Sequence, residues 1–342
     1  MTEKNQNDEL PRIDRRTLLV TGGVAVAALT AVPWLRQLGQ RPENVFIACG
    51  QKYDGPLAST IRDGLLASGV DPLAFADKRV MLKPNMVEPS RKIAHMTTHP
   101  AVVAAAAEVF LSWGATVAIG EAPGHVRDTE MALAESGIVD AIHDTRSRFA
   151  DLNYEAVAWQ PNRGGRSKLP GFWFPQTIVE ADYVVSLPKM KTHHWMGLTA
   201  SMKNLYGVLP GIVYGWPKNV LHQHGIAETV FDINASLPSL LAIVDGIDCM
   251  EGDGPIMGSL KSMGLIVVGT NLPAVDATVA RIMGLPPERI PYLQLAENRL
   301  GPLDEFRITQ RGDNWRDVAS PFKILDAPHL RKMLGTGGPL VT

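Results

Sequence analysis

Cysteine is scarce in this chain: 342 residues hold two, Cys49 and Cys249. Two thiolates cannot carry a four-cysteine iron–sulfur cluster or a zinc knuckle, so no such cluster is expected within the chain. They could close one disulfide, but sequence alone does not bring them within bridging distance, and two free, buried thiols are expected. An excess of one charge is also missing. Lys and Arg number 33 against 35 Asp and Glu, a net of −2, and no basic stripe alternates with aromatics. A nucleic-acid partner is therefore not expected. No Gly-rich strand–helix junction matches the dinucleotide or P-loop fingerprints, which argues against an NAD or ATP site. Repeats and low-complexity segments are likewise lacking.

What is present begins with the leader. A polar start runs to Ile13, then come Asp14-Arg15-Arg16-Thr17 and an apolar run with Gly and Ala from Leu18 to Trp34. An arginine pair ahead of a modestly apolar segment is the twin-arginine export pattern. The segment is too short and too rich in Gly and Thr to read as a spanning helix. Residues 1–40 are thus expected to be a leader for the twin-arginine translocase, with the mature protein in the periplasm. No small-x-small cleavage site precedes Gln40, so retention of the leader as a membrane tether stays open. The remaining 300 or so residues suffice for one large α/β domain or two closely packed lobes, 41–165 and 166–342.

Strand-like and helix-like segments alternate through this part. Strands are expected at Asn44–Ala48, Lys78–Leu82, Ala115–Ile119, Tyr183–Leu187, Leu240–Val244 and Leu265–Val268. Helices are expected at Gly55–Ala67, Thr129–Ser136, after Pro273, and from Pro100 to Trp113 with Thr98 or His99 near the N-cap. The 162–171 stretch, rich in Gly, Arg, Ser and Pro, reads as a loop or lobe boundary. This alternation predicts a layered, mainly parallel α/β sheet.

The segment Leu187–Gly211 is the densest in chemistry. It holds Lys189, Lys191, Lys203, His193 and His194 among small and hydroxylated residues, directly after a strand that Pro188 should stop. Polar groups follow other strands too: Lys83 and Asn85, Glu121 and His125, and Asp245 to Glu251. In a parallel sheet these ends share one edge, where ligands bind. Lys83, Glu121, His193 and Asp245 are accordingly expected to line one cleft.

Several motifs in order carry a resemblance: Lys83-Pro84-Asn85, Thr97-Thr98-His99-Pro100, Gly120-Glu121-Ala122-Pro123-Gly124, Leu187-Pro188-Lys189-Met190-Lys191-Thr192-His193, Lys203-Asn204, Asp245-Gly246 and Glu251-Gly252-Asp253-Gly254-Pro255. Over about residues 43–310 the chain resembles the prokaryotic "domain of unknown function 362" family. Many members carry a fused ferredoxin module, which this chain lacks, so electron transfer would need a redox partner protein. A more distant resemblance is to nickel-dependent lactate racemase. His193 stands ten positions before Lys203, Pro210-Gly211 follows, and Gly124-His125-Val126-Arg127 is similar to an upstream racemase segment.

The racemase resemblance implies His125 and His193 or His194 as acid/base groups and Lys203 as covalent anchor of an organometallic nucleotide. Lys83, Asn85, Glu121, Lys189, Lys191, Asn204 and Asp245 would bind cofactor or substrate. The Cα–H of a hydroxy acid is too weakly acidic for a histidine of pKa ~6.5 to remove, which is why such a reaction needs a hydride acceptor. The competing expectation is a periplasmic metal or cofactor carrier, or an accessory of an exported redox enzyme. Its ligands would be His193, His222 and His224, with Glu251 or Asp276 as carboxylates.

Overall fold

The computed structural model describes residues 42–334 and the strand Leu340–Val341; the expected leader lies outside the described residues. Residues 42–342 form one compact unit. Its strands are β1 (Glu43–Ala48), β2 (Arg79–Pro84), β3 (Thr116–Glu121), β4 (Arg148–Asp151), β5 (Val157–Pro161), β6 (Gly171–Pro175), β7 (Tyr183–Leu187), β8 (Lys189–His193), β9 (Gly197–Thr199), β10 (Ser239–Glu251), β11 (Ser259–Gly269) and β12 (Ile308–Gly312). The main sheet runs β12-β1-β11-β10-β7-β2-β3-β4, with β8 and β9 added beside β10. The path from β10 through β7, β2 and β3 to β4 is parallel throughout, whereas β11 runs antiparallel to both its neighbours.

The alternation of side chains decides which layer each strand residue enters. Val80, Leu82, Val185, Leu187, Ile243, Ile266 and Val268 face one apolar layer; Met81, Val184, Ala242, Val244 and Val267 face the other. Helices α1 (Leu57–Ala67) and α2 (Pro100–Ser112) cover the first layer, through Ile61, Leu65, Val103 and Phe110. The second layer is covered by helices that include Ile226–Ser236 and Leu272–Ile282, through Val230, Ile233, Val275 and Val279. Strands buried on both faces need nearly continuous apolar runs, and Val80-Met81-Leu82 and Val184-Val185 supply them. Lys83 stands two residues after Met81 and so faces the second layer.

Two expectations need correction. Pro188 ends β7, but the chain continues as strand β8 rather than a loop. The strand pairs with β10 at Asp245↔Lys189 and Met250↔Lys191, and folds back on β9. The 162–171 stretch takes the loop alternative of its reading, as the connection between the paired strands β5 and β6. Cys49 and Cys249 are both free, but only Cys249 is buried; Cys49 lies just past the end of β1, where its N–H donates to Asp313.

Candidate active site

The motifs lock together before they form a site. Asn85 N–H donates to Thr98 Oγ1 at 2.8 Å, and that hydroxyl donates to Leu187 O at 2.5 Å. His99 caps α2 by accepting the Ala101 N–H on Nδ1. Asn204 is the hub beneath the sheet edge. Its amide donates to Lys83 O and Ser186 Oγ, and its Oδ1 accepts from Lys83 Nζ and Asn85 Nδ2. The turn at Gly254-Pro255 closes over β8: His194 N–H donates to Gly254 O, and Lys191 Nζ to Pro255 O.

A cavity of about 150 Å³ opens at this edge, lined among others by Glu121, His193, Thr199, Lys203, Lys218 and His222. Lys83 stands behind the wall. Its fully enclosed amine pairs with Glu121 Oε1 at 2.6 Å and also donates to Pro84 O and Asn204 Oδ1. Gly207 is required here: a Cβ would meet Glu121 Oε1 and, at 2.6 Å, Lys83 Nζ. The second carboxylate oxygen of Glu121 is buried with no hydrogen-bond partner, as is the hydroxyl of Thr199.

Three further lysines line the cavity. Lys191 is fully buried and uses its three N–H groups on Asn85 Oδ1, Met96 O and Pro255 O. All three acceptors are neutral, and burial, reinforced by nearby lysines, pushes its pKa well down. Lys203 is half-buried; its Nζ lies 4.6 Å from the Tyr206 ring centroid and has no hydrogen-bond or carboxylate partner among the described residues. Burial lowers it to about 8. Lys218 was missed in the sequence, where it reads as a solvated lysine after Trp216-Pro217. Only 2% of it is exposed, and its amine donates to Ala122 O at 2.7 Å and Tyr206 O at 3.3 Å. Burial lowers its pKa to about 7.

His125, His193 and His194, the histidines expected to act as acid and base, all line this cavity. Trp195 N–H and Met196 N–H both donate to His193 Nδ1, at 3.0 and 3.3 Å. That assigns the ring proton to Nε2, so neutral His193 is a hydrogen-bond donor at Nε2. Burial and the neighbouring cations push its pKa well down. His222 packs against Tyr206 and Trp195, and burial with Lys203, His125 and Lys218 lowers it to about 4. His125 is exposed at the cavity mouth, and His194 reaches its rim within 3.5 Å of Asp253. Lys218, at about 7, and Lys203, at about 8, are thus poised to gain or lose a proton near neutral pH.

The remaining candidates lie elsewhere. Lys189 and Asp245 form a second, fully enclosed pair at 2.6 Å, separate from the cavity lining. Tyr53 completes it: the hydroxyl accepts from Lys189 Nζ at 2.9 Å and donates to Asp245 Oδ1 at 3.2 Å, with its ring stacked on His99. Asp245 thus does not line the expected cleft. His224 is absent from the lining: it caps the C-terminus of the short helix Asn219–Gln223, two positions after His222. Glu251 accepts from Lys323 N–H, and Asp276 from the Ser201 and Met202 N–H groups that open the helix Ser201–Asn204. Among the described residues no three His, Cys, Asp or Glu side chains come together as metal ligands.

The chain is similar to the thylakoid-associated protein sll1697 of Synechocystis sp., 28% identical over 265 residues that cover 76% of this chain and 80% of the relative. Among solved structures it is similar to the lactate racemase apoprotein from Thermoanaerobacterium thermosaccharolyticum, with 15% identity and a TM-score of 0.37. That likeness covers 68% of this chain and about half of the other, 54%. The family described as Domain of unknown function (DUF362) matches residues 80–281, a span that includes every cavity-lining side chain named above, and the chain belongs to it.

Proposed function

We propose that the cavity is the active site of an enzyme that acts on a small oxo acid through the amine of Lys203. One observation carries this reading: among the described residues Lys203 has no hydrogen-bond or ion-pair partner, and it shares the cavity with Glu121 Oε2 and Thr199 Oγ1, which have none either. Buried polar groups are normally satisfied, so the two left over on Glu121 and Thr199, beside an accessible and unpaired amine, point to a ligand. A lysine lowered by burial is a neutral amine for an appreciable fraction of the time near neutral pH, which makes it a nucleophile.

Size limits the substrate. An interior of about 150 Å³ matches a molecule the size of benzene, about six non-hydrogen atoms. A small oxo acid fits this interior. A metal fits poorly, since a ring that accepts backbone N–H groups at Nδ1 lacks the usual second-nitrogen proton of a metal-bound histidine. The hydroxy acid implied by the racemase resemblance has no carbonyl for the amine to attack, which is why the oxo acid is the form proposed.

The Lys203 nitrogen bonds to the carbonyl carbon, and the oxygen leaves as water with both amine protons. Protonation of the resulting imine acidifies the adjacent C–H, whose proton passes to water; carbon then takes a deuteron back from solvent, and hydrolysis of the imine releases the exchanged acid and the free amine. His193 Nε2–H is a donor for a ligand oxygen, and Glu121 Oε2 an acceptor for a ligand O–H. The test is exchange of the methyl protons of pyruvate with D₂O, followed by NMR. Wild-type protein should catalyse exchange, and Lys203→Ala should slow it by about 100-fold or more, the scale of lost proton-transfer catalysis. Equal exchange by the two proteins overturns the reading. We further propose that the protein is exported by the twin-arginine translocase, on the strength of Arg15-Arg16 ahead of the apolar run.

A further inference from the structure

The charges around the cavity do not balance. Glu121 is the only carboxylate among the residues lining it, and Lys83 already neutralises it. That leaves Lys191, Lys203 and Lys218. Lys191 and Lys218 are two buried amines held only by neutral oxygens, and a bound anion would hold both in their charged form. A buried charge without a counter-charge is costly, and a ligand that supplies it is bound in proportion.

We propose that the ligand is a small dianion, and that Lys218 is the residue that grips its second negative charge. This inference rests on the small-acid reading of the site. Lys218 is suited to the contact in three ways. An ammonium has three donors and two are spent on Ala122 O and Tyr206 O, so one N–H remains for a ligand. Those carbonyls come from the segment after β3 and from the segment after Lys203, so the amine is fixed between two walls of the cavity. Its backbone is left-handed, φ 67° and ψ 44°, a conformation a non-glycine residue rarely adopts without a reason in its surroundings. Lys191 has no N–H to spare and contributes its charge at a distance. Lys218 therefore makes the contact with the second charge, while Lys191 acts only at a distance.

Charge can be separated from size with malonate and malonamate, its half-amide, which have the same number of non-hydrogen atoms and differ by one negative charge. Both are titrated calorimetrically into the full chain at neutral pH, with sulfate as an inorganic dianion. Wild-type protein should bind malonate at least tenfold more tightly than malonamate, and sulfate should compete with malonate. Lys218→Met should weaken malonate to the level of malonamate and leave malonamate within about threefold of wild type, as expected when a single charge contact is lost. Equal binding of malonate and malonamate by wild-type protein overturns the dianion inference and leaves the small-acid reading standing; this comparison needs no variant. Undiminished malonate binding by a folded Lys218→Met removes Lys218 from the role. Binding of none of the three probes overturns both the inference and the reading beneath it.

Discussion

Lys83 and Glu121 share an enclosed ion pair of 2.6 Å in which one carboxylate oxygen is spent on the lysine and the other is left to the cavity. The pair does two jobs at once. It anchors the end of β2 to the end of β3, and it presents an acceptor to whatever enters. Glu121→Gln keeps the shape and removes the charge. Breaking a buried pair in this way costs about 3–5 kcal/mol, because the lysine is left uncompensated. Urea denaturation should show a loss of that order, together with loss of pyruvate proton exchange.

The second pair, Lys189 and Asp245, separates stability from function. It is just as enclosed but lies outside the cavity lining. Asp245→Asn should destabilise the fold by about 3–5 kcal/mol for the same reason. Under conditions where that variant is still folded, exchange per folded molecule should stay within about threefold of wild type, since no cavity contact is lost. A loss as large as that of Glu121→Gln would show that the two clusters act as one site.

The centre of the sheet was legible in the sequence because its strands obey simple patterns. Val80-Met81-Leu82 and Val184-Val185 are doubly buried runs, and each expected strand falls on an observed one. However, β10 and β11 extend well beyond the expected Leu240–Val244 and Leu265–Val268, and β4, β9 and β12 were not expected. Strand β8 was not legible. Lys189-Met190-Lys191-Thr192-His193 reads as a solvated loop after a proline, yet all five residues are buried, and its lysines find partners only in distant segments. The same reason hid Lys218, whose two partners lie 96 and 12 residues away. Asn85, Glu121 and Lys203 were found through their motifs, but their roles depend on hydrogen bonds that spacing does not reveal. His193 shows the limit best: its residue type suggested a base, and two backbone N–H groups make it a donor.

The pH dependence of stability follows from the lowered lysines. Lys218 is at about 7 and Lys203 at about 8 in the folded chain, against an ordinary 10.5. Between those values the unfolded chain holds more protons than the folded one, so stability rises with pH from about 7 toward about 10. His222, lowered to about 4 from 6.5, gives the same sign of slope between those two values. Denaturation midpoints should therefore be higher at about pH 9 than at about pH 7. Lys218→Met should flatten the difference, and a wild-type midpoint that falls over this range would contradict the burial of these amines.

The leader prediction is independent of the cavity. Replacing Arg15 and Arg16 together by lysine should hold the protein in the cytoplasm with its fold unchanged, because the pair acts as an address. Cell fractionation reads the outcome, and recovery of the double variant from the periplasm would remove the twin-arginine reading.

The central claim is that Lys203 carries a free, reactive amine inside the cavity. Treating the full chain with pyruvate and cyanoborohydride fixes any imine as a stable adduct, and peptide mapping by mass spectrometry locates it. The account predicts one dominant adduct, on Lys203, absent from Lys203→Ala and formed faster as pH rises toward about 8 and the amine loses its proton. Adducts spread over exposed lysines, with Lys203 unmodified, would contradict it.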